Sequence, residues 1–486
     1  MQGNGRTGAG AGAGWTLALA SAGSMMVALD GTVVATALSR IRLDLNATIG
    51  QLEWTFNAYS LSFAVLLMTG AALGDRFGRR RMFVGGIGLF TAASAWCALV
   101  PGIGWLITAR AVQGAGAALV MPLAMALLGA AYPPQQRARA LGIFAGVTGI
   151  AVVAGPLVGG AITQSLGWQW IFWLNVPLGA ICIPLVLRLV PESRGPGGMI
   201  DGGGLLLVTG GAFGLVWGLI NANGSGWGSP GVLAGLVAGA VLLAAFVFWE
   251  LRARLPMVPM NLFRSRGFSA GNVAALFMYS ALYGALFFVA QFLQTAQGDG
   301  PLKAGVHLIA WGGGVTIVAP LAGRFANRIG ARRLAITGLA MQTGGMFWLA
   351  ALARPDLPYP QMIAPMIVAG CGVSMAMPAV QISVFNSVQP AQIGKASGVF
   401  NTLRQLGGVL GVAILGLVFS STGGYRSAGA FSVGFADALR VAAAFSLLGA
   451  LASLLVPGVR RPAAPPRPIA RDAAPAPAPQ VVGAVE

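Results

Sequence analysis

Two residues able to carry charge, Asp30 and Arg110, lie deep inside long apolar stretches of the sequence. A charge in such a stretch is costly and is usually paired or functional. Of the twelve acidic residues, Asp30 is the only one that we place well inside a stretch. At a rise of about 1.5 Å per residue, counting from the ends of their stretches puts Asp30 and Arg110 at matching depth. We therefore expect the two side chains to meet.

This pair has two interpretations. Burial favours the neutral form of a carboxylic acid, and a nearby guanidinium favours the charged form. A conformational change that alters their separation would load and release a proton, which makes Asp30 a candidate proton carrier and Arg110 its tuner. In the alternative, the two residues form a static buried ion pair with a structural role.

A cluster of charge interrupts the apolar sequence at residues 70–81, which read GAALGDRFGRRR. Asp75 stands there among Arg76 and the three arginines 79–81, and Gly78 is free to adopt the positive φ that a tight reversal needs. In one interpretation the cluster is a charged anchor at a membrane face, as the positive-inside rule predicts.

A second copy of this cluster lies at residues 323–333, GRFANRIGARR. Gly330 takes the position of Gly78 and Asn327 that of Asp75, at an offset of 252 residues. Residues 139–144 and 395–400 repeat in the same way, at an offset of 256. Internal repeats around a central site are common in secondary transporters, so the sequence predicts two related halves.

Composition restricts the class of protein. Hydrophobic residues make up 56% of the 486 residues and charged residues only 9%, which is typical of a membrane protein. The net charge of +18 comes from arginines in short loops, as membrane orientation predicts, so we expect no nucleic-acid partner. The three cysteines lie singly in apolar stretches, His307 is the only histidine, and neither lysine lies in a phosphate-binding loop. We therefore predict no enzyme activity, no cofactor and no metal site.

Fourteen apolar stretches are long enough to span a bilayer, at roughly 20 residues per crossing. The first runs through Leu38 and is too long for a signal peptide. The stretches lie near residues 15–38, 54–74, 82–100, 105–130, 139–162, 171–190, 203–221, 231–250, 269–293, 304–323, 333–352, 362–386, 397–419 and 436–456. An even number puts both termini on one side, and the distribution of basic residues makes that side cytoplasmic.

The repeat offset divides these spans into domains. We predict a cytoplasmic N-terminal segment, a six-helix half, a linker that carries two inserted helices, a second six-helix half and a disordered cytoplasmic tail rich in proline and alanine. The predicted boundaries are residues 1–14, 15–190, 191–268, 269–457 and 458–486, in that order.

The charged cluster resembles motif A of the major facilitator superfamily. Leu73, Asp75, Arg76, Gly78, Arg79 and Arg80 match that motif, while Ala71 replaces its first glycine. The resemblance implies an all-α membrane protein with the major facilitator fold, built here from two six-helix halves plus two inserted helices, 14 transmembrane helices in all. It also implies a cytoplasmic gate formed by these residues, with Asn327 and Gly330 in the second copy.

Further stretches resemble other motifs of the superfamily. Residues 106–118 match motif B at Arg110, Gln113, Gly114 and Gly116. Residues 142–160 are similar to the antiporter motif C, with Ala151 in place of a usual glycine, and match it at Gly142, Gly155, Pro156, Gly159 and Gly160. Residues 29–38 and 168–179 resemble signatures of the fourteen-span drug:proton antiporters; the second matches at Asn175, Pro177 and Gly179.

The resemblance implies a proton-coupled antiporter of the inner (plasma) membrane that exports small amphipathic compounds, such as drugs or antibiotics, by alternating access. Its expected partners are a lipophilic small-molecule substrate, protons and the lipid bilayer, and we expect a monomer. Two alternatives remain: a proton-coupled or facilitated nutrient importer, and a membrane receptor or scaffold that moves no solute. With Asp30 as the only buried carboxylate, we expect neutral or singly charged substrates rather than divalent cations.

Overall fold

The structure is a computed structural model that describes residues 6–195, 201–253, 256–389 and 392–457. Within these ranges the chain forms seventeen α-helices, numbered in chain order, and one short 3-10 helix at Met260–Arg264. The first nine are α1 (Arg6–Asp44), α2 (Ile49–Phe77), α3 (Arg79–Leu99), α4 (Ile103–Ala131), α5 (Pro134–Ser165), α6 (Trp170–Trp173), α7 (Asn175–Leu189), α8 (Gly202–Ser225) and α9 (Pro230–Arg252). The others are α10 (Arg266–Thr295), α11 (Pro301–His307), α12 (Ile309–Gly312), α13 (Gly314–Ile329), α14 (Ala331–Leu352), α15 (Tyr359–Phe385), α16 (Ile393–Thr422) and α17 (Ala428–Leu454).

Fourteen segments of the described chain are long and apolar enough to cross a membrane. The short helices belong to longer spans: α6 and α7 form one, and α11 to α13 form another. Helices α1 to α7 make the first six-helix half, α8 and α9 are the inserted pair, and α10 to α17 make the second half. The predicted number of spans and the fold class are confirmed.

Two helices begin earlier than the sequence predicted, because polar residues cap them. Thr48 and Gln51 form a reciprocal capping box at the start of α2, and the Ser427 side chain accepts a hydrogen bond from the Ala430 backbone before α17. Glu53 therefore lies inside α2 and is 2% exposed. The prediction that Asp30 is the only carboxylate buried in a span was wrong. The expectation of neutral or singly charged substrates, which depended on it, therefore no longer follows.

The repeated clusters share one backbone conformation. Gly78 separates α2 from α3 with φ 110° and ψ 127°, and Gly330 separates α13 from α14 with φ 97° and ψ 127°. Residues with a Cβ rarely adopt such angles, so glycine is required at both positions. We call the end of the bundle that carries residues 76–81 the arginine end, and the opposite end the far end.

Glycines bring the two halves into contact near the far end. A methyl group added at Gly160 of α5 would stand 2.2 Å from the Pro301 carbonyl oxygen of α11, and one added at Gly305 would stand 2.4 Å from the Pro156 carbonyl oxygen. The Gln294 side chain also donates to the Thr36 carbonyl oxygen across the halves, at 3.0 Å. The helices approach so closely that backbone lies against backbone, as is common where small residues face each other in membranes.

The inserted helix α8 covers the seam between the halves. Its residues Val216 and Ile220 pack in one apolar cluster with Leu61 of α2 and Val409 of α16. Its partner α9 presents exposed apolar side chains outward, as a lipid-facing helix would: Leu233, Val237, Val241, Phe248 and Leu251. The boundaries of the domains stay a prediction. The tail from residue 458, residues 1–5 and part of the linker lie outside the described residues.

Close helix packing can be tested at Gly70, where an added methyl group would stand 2.3 Å from the Ala118 carbonyl oxygen. Gly70→Ala should destabilise the protein by about 1–3 kcal/mol, because the α2–α4 contact must open. Gly85→Ala is the matched control, since nothing lies within 4 Å of its added methyl group and alanine favours a helix. Thermal unfolding in detergent measures both. Equal midpoints for the two variants would contradict close packing at Gly70.

Candidate functional site

Four helices of the first half bring five polar side chains to one buried point. Asp30 comes from α1, Ser94 from α3, Arg110 and Gln113 from α4, and Asn175 from the start of α7. All five are essentially inaccessible to solvent. A group of polar side chains buried in an apolar bundle must satisfy its own hydrogen bonds. We call these five residues the Asp30 network.

Asp30 accepts hydrogen bonds from three side chains. Arg110 donates through Nη1 to Asp30 Oδ2 in a short ion pair, so the depths predicted for the two residues do match. Gln113 Nε2 and Asn175 Nδ2 both donate to Asp30 Oδ1, at 2.9 and 3.1 Å. Ser94 Oγ accepts from Gln113 at 2.7 Å. The carboxylate therefore ties α1 to α4 and α7.

Arg110 has partners other than Asp30. Its Nε donates to the Thr55 carbonyl oxygen of α2 at 3.2 Å, and its Nη1 donates to Gln113 Oε1 at 2.6 Å. The guanidinium carbon lies 4.2 Å from the centroid of the Tyr59 ring, in range for a cation–π contact. Its Nη2 makes no hydrogen bond to the part of the chain that the structure describes. The positive charge of Arg110 is thus stabilised by several groups besides Asp30.

The sequence identified part of the Asp30 network. Gln113 is three residues after Arg110, which puts both on one helix face, and Asn175 was singled out by the resemblance to an antiporter signature. Ser94 and the Thr55 carbonyl were missed. Serines and threonines are common in these apolar stretches, so nothing in the sequence distinguishes Ser94 from the others.

At the arginine end, Asp75 pairs within its own cluster. Arg79 Nε and Nη2 both lie 2.9 Å from Asp75 Oδ1. The Asp75 carbonyl oxygen accepts a hydrogen bond from the Gly195 backbone at 3.3 Å. Arg76 lies over the ring of Phe77, at 5.3 Å from its centroid. Leu73 lies in the same helix, α2, while the side chain of Asn327 in the second copy lies outside the described set.

Glu192, which the sequence did not single out, is the second acid of this cluster. Its two carboxylate oxygens accept hydrogen bonds from the backbone of Arg80 and of Arg81, at 2.9 and 3.3 Å, at the N-terminus of α3. Arg80 also donates from its side chain to the carbonyl oxygens of Leu187 and Val190. The start of α3 is therefore fastened to the segment that follows α7. A carboxylate at a helix N-terminus is favourable because it satisfies free backbone N–H groups.

The glycines of α5 divide into two groups. Methyl groups added at Gly155 and Gly159 would stand 1.9 Å from Thr32 Oγ1 and 2.5 Å from the Val33 carbonyl oxygen, so these two pack α5 against α1. Gly160 and Pro156 make the contacts with α11 described above. Gly142, which also matches motif C, makes no such contact, since nothing lies within 4 Å of its added methyl group. This part of α5 is largely exposed.

Comparison with known proteins agrees with this architecture. The family model described as Major Facilitator Superfamily matches residues 20–293 and 272–484. The chain belongs to the major facilitator superfamily. No group of histidine, cysteine and carboxylate side chains suited to a metal ion occurs among the described residues of this superfamily member.

Its relatives include resistance proteins. The tetracenomycin C resistance and export protein of Streptomyces glaucescens is 35% identical over 408 residues, which cover 84% of this chain and 76% of that one. The methylenomycin A resistance protein of Bacillus subtilis is 32% identical and covers 89% of this chain and 92% of its own length. An auto-inhibited peptide transporter of known structure shares the fold, with a TM-score of 0.67, 16% identity and coverage of 92% and 99%.

The carboxylate of Glu192 offers a test of the arginine end. Glu192→Gln should lower the free energy of unfolding by about 1 kcal/mol, because hydrogen bonds to a charged acceptor are stronger than those to a neutral one. Asp356→Asn is the control, since that side chain is 84% exposed. Thermal unfolding midpoints compare the two, and an unchanged midpoint for Glu192→Gln would show that this carboxylate does not fasten α3.

Proposed function

We propose that this protein is a proton-coupled antiporter that exports small lipophilic compounds, antibiotics among them, by alternating access. The observation that carries the proposal is the buried contact between Asp30 and Arg110 in the first half. Buried ionisable groups in a membrane protein commonly mark ion or proton pathways. The resistance and export functions in the names of its relatives support an outward direction of transport.

The surroundings of Asp30 support a proton carrier more than a static ion pair. When Asp30 is neutral, Arg110 keeps the Thr55 carbonyl oxygen, Gln113 Oε1 and the Tyr59 ring as partners for its charge. Gln113 and Asn175 can still donate to the carbonyl oxygen of the neutral acid. Both protonation states are therefore stabilised, whereas a simple pair would leave an uncompensated buried charge.

The arginines support one orientation of the protein in the membrane. Arg76 and residues 79–81 lie at one end of the bundle, and the positive-inside rule assigns that end to the cytoplasm of a plasma-membrane protein. Both termini would then be cytoplasmic, and the far end would face outward. In this orientation Asp75, Arg79 and Glu192 hold the cytoplasmic ends of neighbouring spans, while Gly160 and Gly305 close the outer side.

The decisive variant is Asp30→Asn in proteoliposomes with an imposed pH gradient. We expect the wild type to move tetracenomycin C or methylenomycin A uphill in exchange for protons, and Asp30→Asn to lose uphill transport while it stays folded and still binds the compound. The reason is that the amide cannot take up and release a proton in this pH range. Arg110→Ala should be harmful for a carrier and for a static pair alike, so it does not discriminate.

The control is Glu250→Gln, because Glu250 is also buried but lies in the inserted helix α9, where it accepts from the Val258 backbone at 3.0 Å. Uphill transport by Asp30→Asn at the wild-type rate would eliminate Asp30 as the carrier. Downhill uptake alone would indicate a facilitator or importer, and no flux of any tested compound would favour a receptor or scaffold.

A further inference from the structure

Glu53 is another buried carboxylate, and it lies at the seam between the halves. It is 2% exposed and stands one turn into α2. Its carboxylate lies directly on the backbone of α16, since a methyl group added at Gly416 would be 2.0 Å from Glu53 Oε1. Among the described residues no basic side chain forms an ion pair with it. Glu53 thus differs from Asp30, which has Arg110.

The groups around Glu53 come from both halves. Arg42, at the end of α1, lies over the ring of Tyr425 in the α16–α17 connection, 4.3 Å from its centroid. Tyr425 donates a short hydrogen bond to Gln291 of α10. Burial raises the pKa of Tyr425, with Arg42 opposing the shift and Glu53 adding to it, so Tyr425 remains a neutral donor. One turn along α2 from Glu53, Phe56 packs on Tyr283 of α10.

A cavity at the far end opens beside these groups. It has a volume of about 430 Å³ and is lined by Arg42, residues 47–49 and residues 423–426. Its lining therefore joins the α1–α2 connection of the first half to the α16–α17 connection of the second. Arg42 and Arg426 are the charged residues of this lining. The far-end halves of α8, α10 and α16 contribute no charged residue at this seam.

An ionised carboxylate without a paired cation is costly in a dry contact between helices, so the closed seam favours the neutral acid. If the halves separate at the far end, Gly416 moves away from the Glu53 carboxyl group. Water can then reach this group, and water favours its ionised form. We propose that Glu53 is a second proton-binding residue of the transport cycle, and that it must take up a proton from the far side before the halves close there. This inference rests on the proposed alternating access.

Linkage gives the sign of the effect. Because the open form binds the proton less tightly than the closed form, acid at the far side favours closure and alkali favours opening. One linked proton changes the ratio of open to closed molecules by up to about tenfold per pH unit. An exporter that returns to its inward-facing state only after it has bound a proton would not make that return without proton uptake.

The experiment measures far-end opening as a distance between spin labels on cysteines introduced at Leu166 and Asp356, in protein whose native cysteines are replaced. Both positions are well exposed, one in each half. Between about pH 5 and about pH 9, the wild type should shift from the short to the long distance. Glu53→Gln should keep the short distance throughout, and Asp30→Asn should retain the shift.

Asp437→Asn is the matched control. Asp437 pairs with Arg440 of its own helix and is partly exposed, so the wild-type pH dependence should persist. An unaltered pH dependence in Glu53→Gln, or the absence of any shift in the wild type, would refute the proposal. A second readout reports the protonation of Glu53 itself: the part of the infrared carbonyl band that comes from its protonated carboxyl group should be absent in Glu53→Gln at low pH and should fade in the wild type as pH rises. An identical band in both proteins would also refute it.

These measurements use no transported compound, so their failure is distinguishable from failure of the proposed export. Transport of the two antibiotics with no pH effect at Glu53 would leave the export function standing and overturn this inference alone. A pH effect at Glu53 without transport of either compound would leave this inference standing and overturn the proposed export of these compounds.

Discussion

The cost of burying the Asp30 carboxylate determines how the first half is assembled. In a bilayer, apolar surfaces gain little from meeting each other, because lipid is as apolar as they are. Polar contacts and close packing must therefore specify which helices are neighbours. Asp30 on α1 requires donors, and it obtains them from Arg110 and Gln113 on α4 and from Asn175 on α7. The groups that we propose for proton chemistry also hold these helices in place.

The contacts between the halves are of another kind. None of the ion pairs found among the described residues joins one half to the other: Asp30–Arg110 lies in the first half, Asp299–Lys303 lies in the second, and Arg80–Glu192 joins the first half to the start of the linker. Across the seam the chain uses glycine contacts such as Gly160 with Pro301, a few hydrogen bonds and the cation–π contact of Arg42 with Tyr425. Separation of the halves therefore breaks none of the ion pairs seen in the described part of the chain. Rigid halves joined by weaker contacts are what alternating access requires.

The lengths of the apolar stretches and the repeated motifs predicted the architecture, because both are visible in the linear sequence. Fourteen spans, the equivalence of Gly78 and Gly330, and the common depth of Asp30 and Arg110 could all be read in this way. Helix ends could not, because a cap such as Thr48 lies outside the apolar stretch that it starts, and the burial of Glu53 was missed as a result. Glu192 was missed for a different reason: it is 112 residues from Arg80, and only the packing of α3 beside α7 brings them together.

Helix α2 connects the Asp30 network to the buried carboxylate of Glu53. Arg110 donates to the Thr55 carbonyl oxygen on one side of α2, and Glu53 lies against Gly416 of α16 on another, only two residues away. Because both groups belong to one continuous helix, a movement of α2 away from α16 would carry the Thr55 carbonyl with it. Such a movement would alter a partner of Arg110. A contact of the buried Arg110 and a contact between the two halves therefore depend on the same helix, although Glu53 and Asp30 do not touch each other.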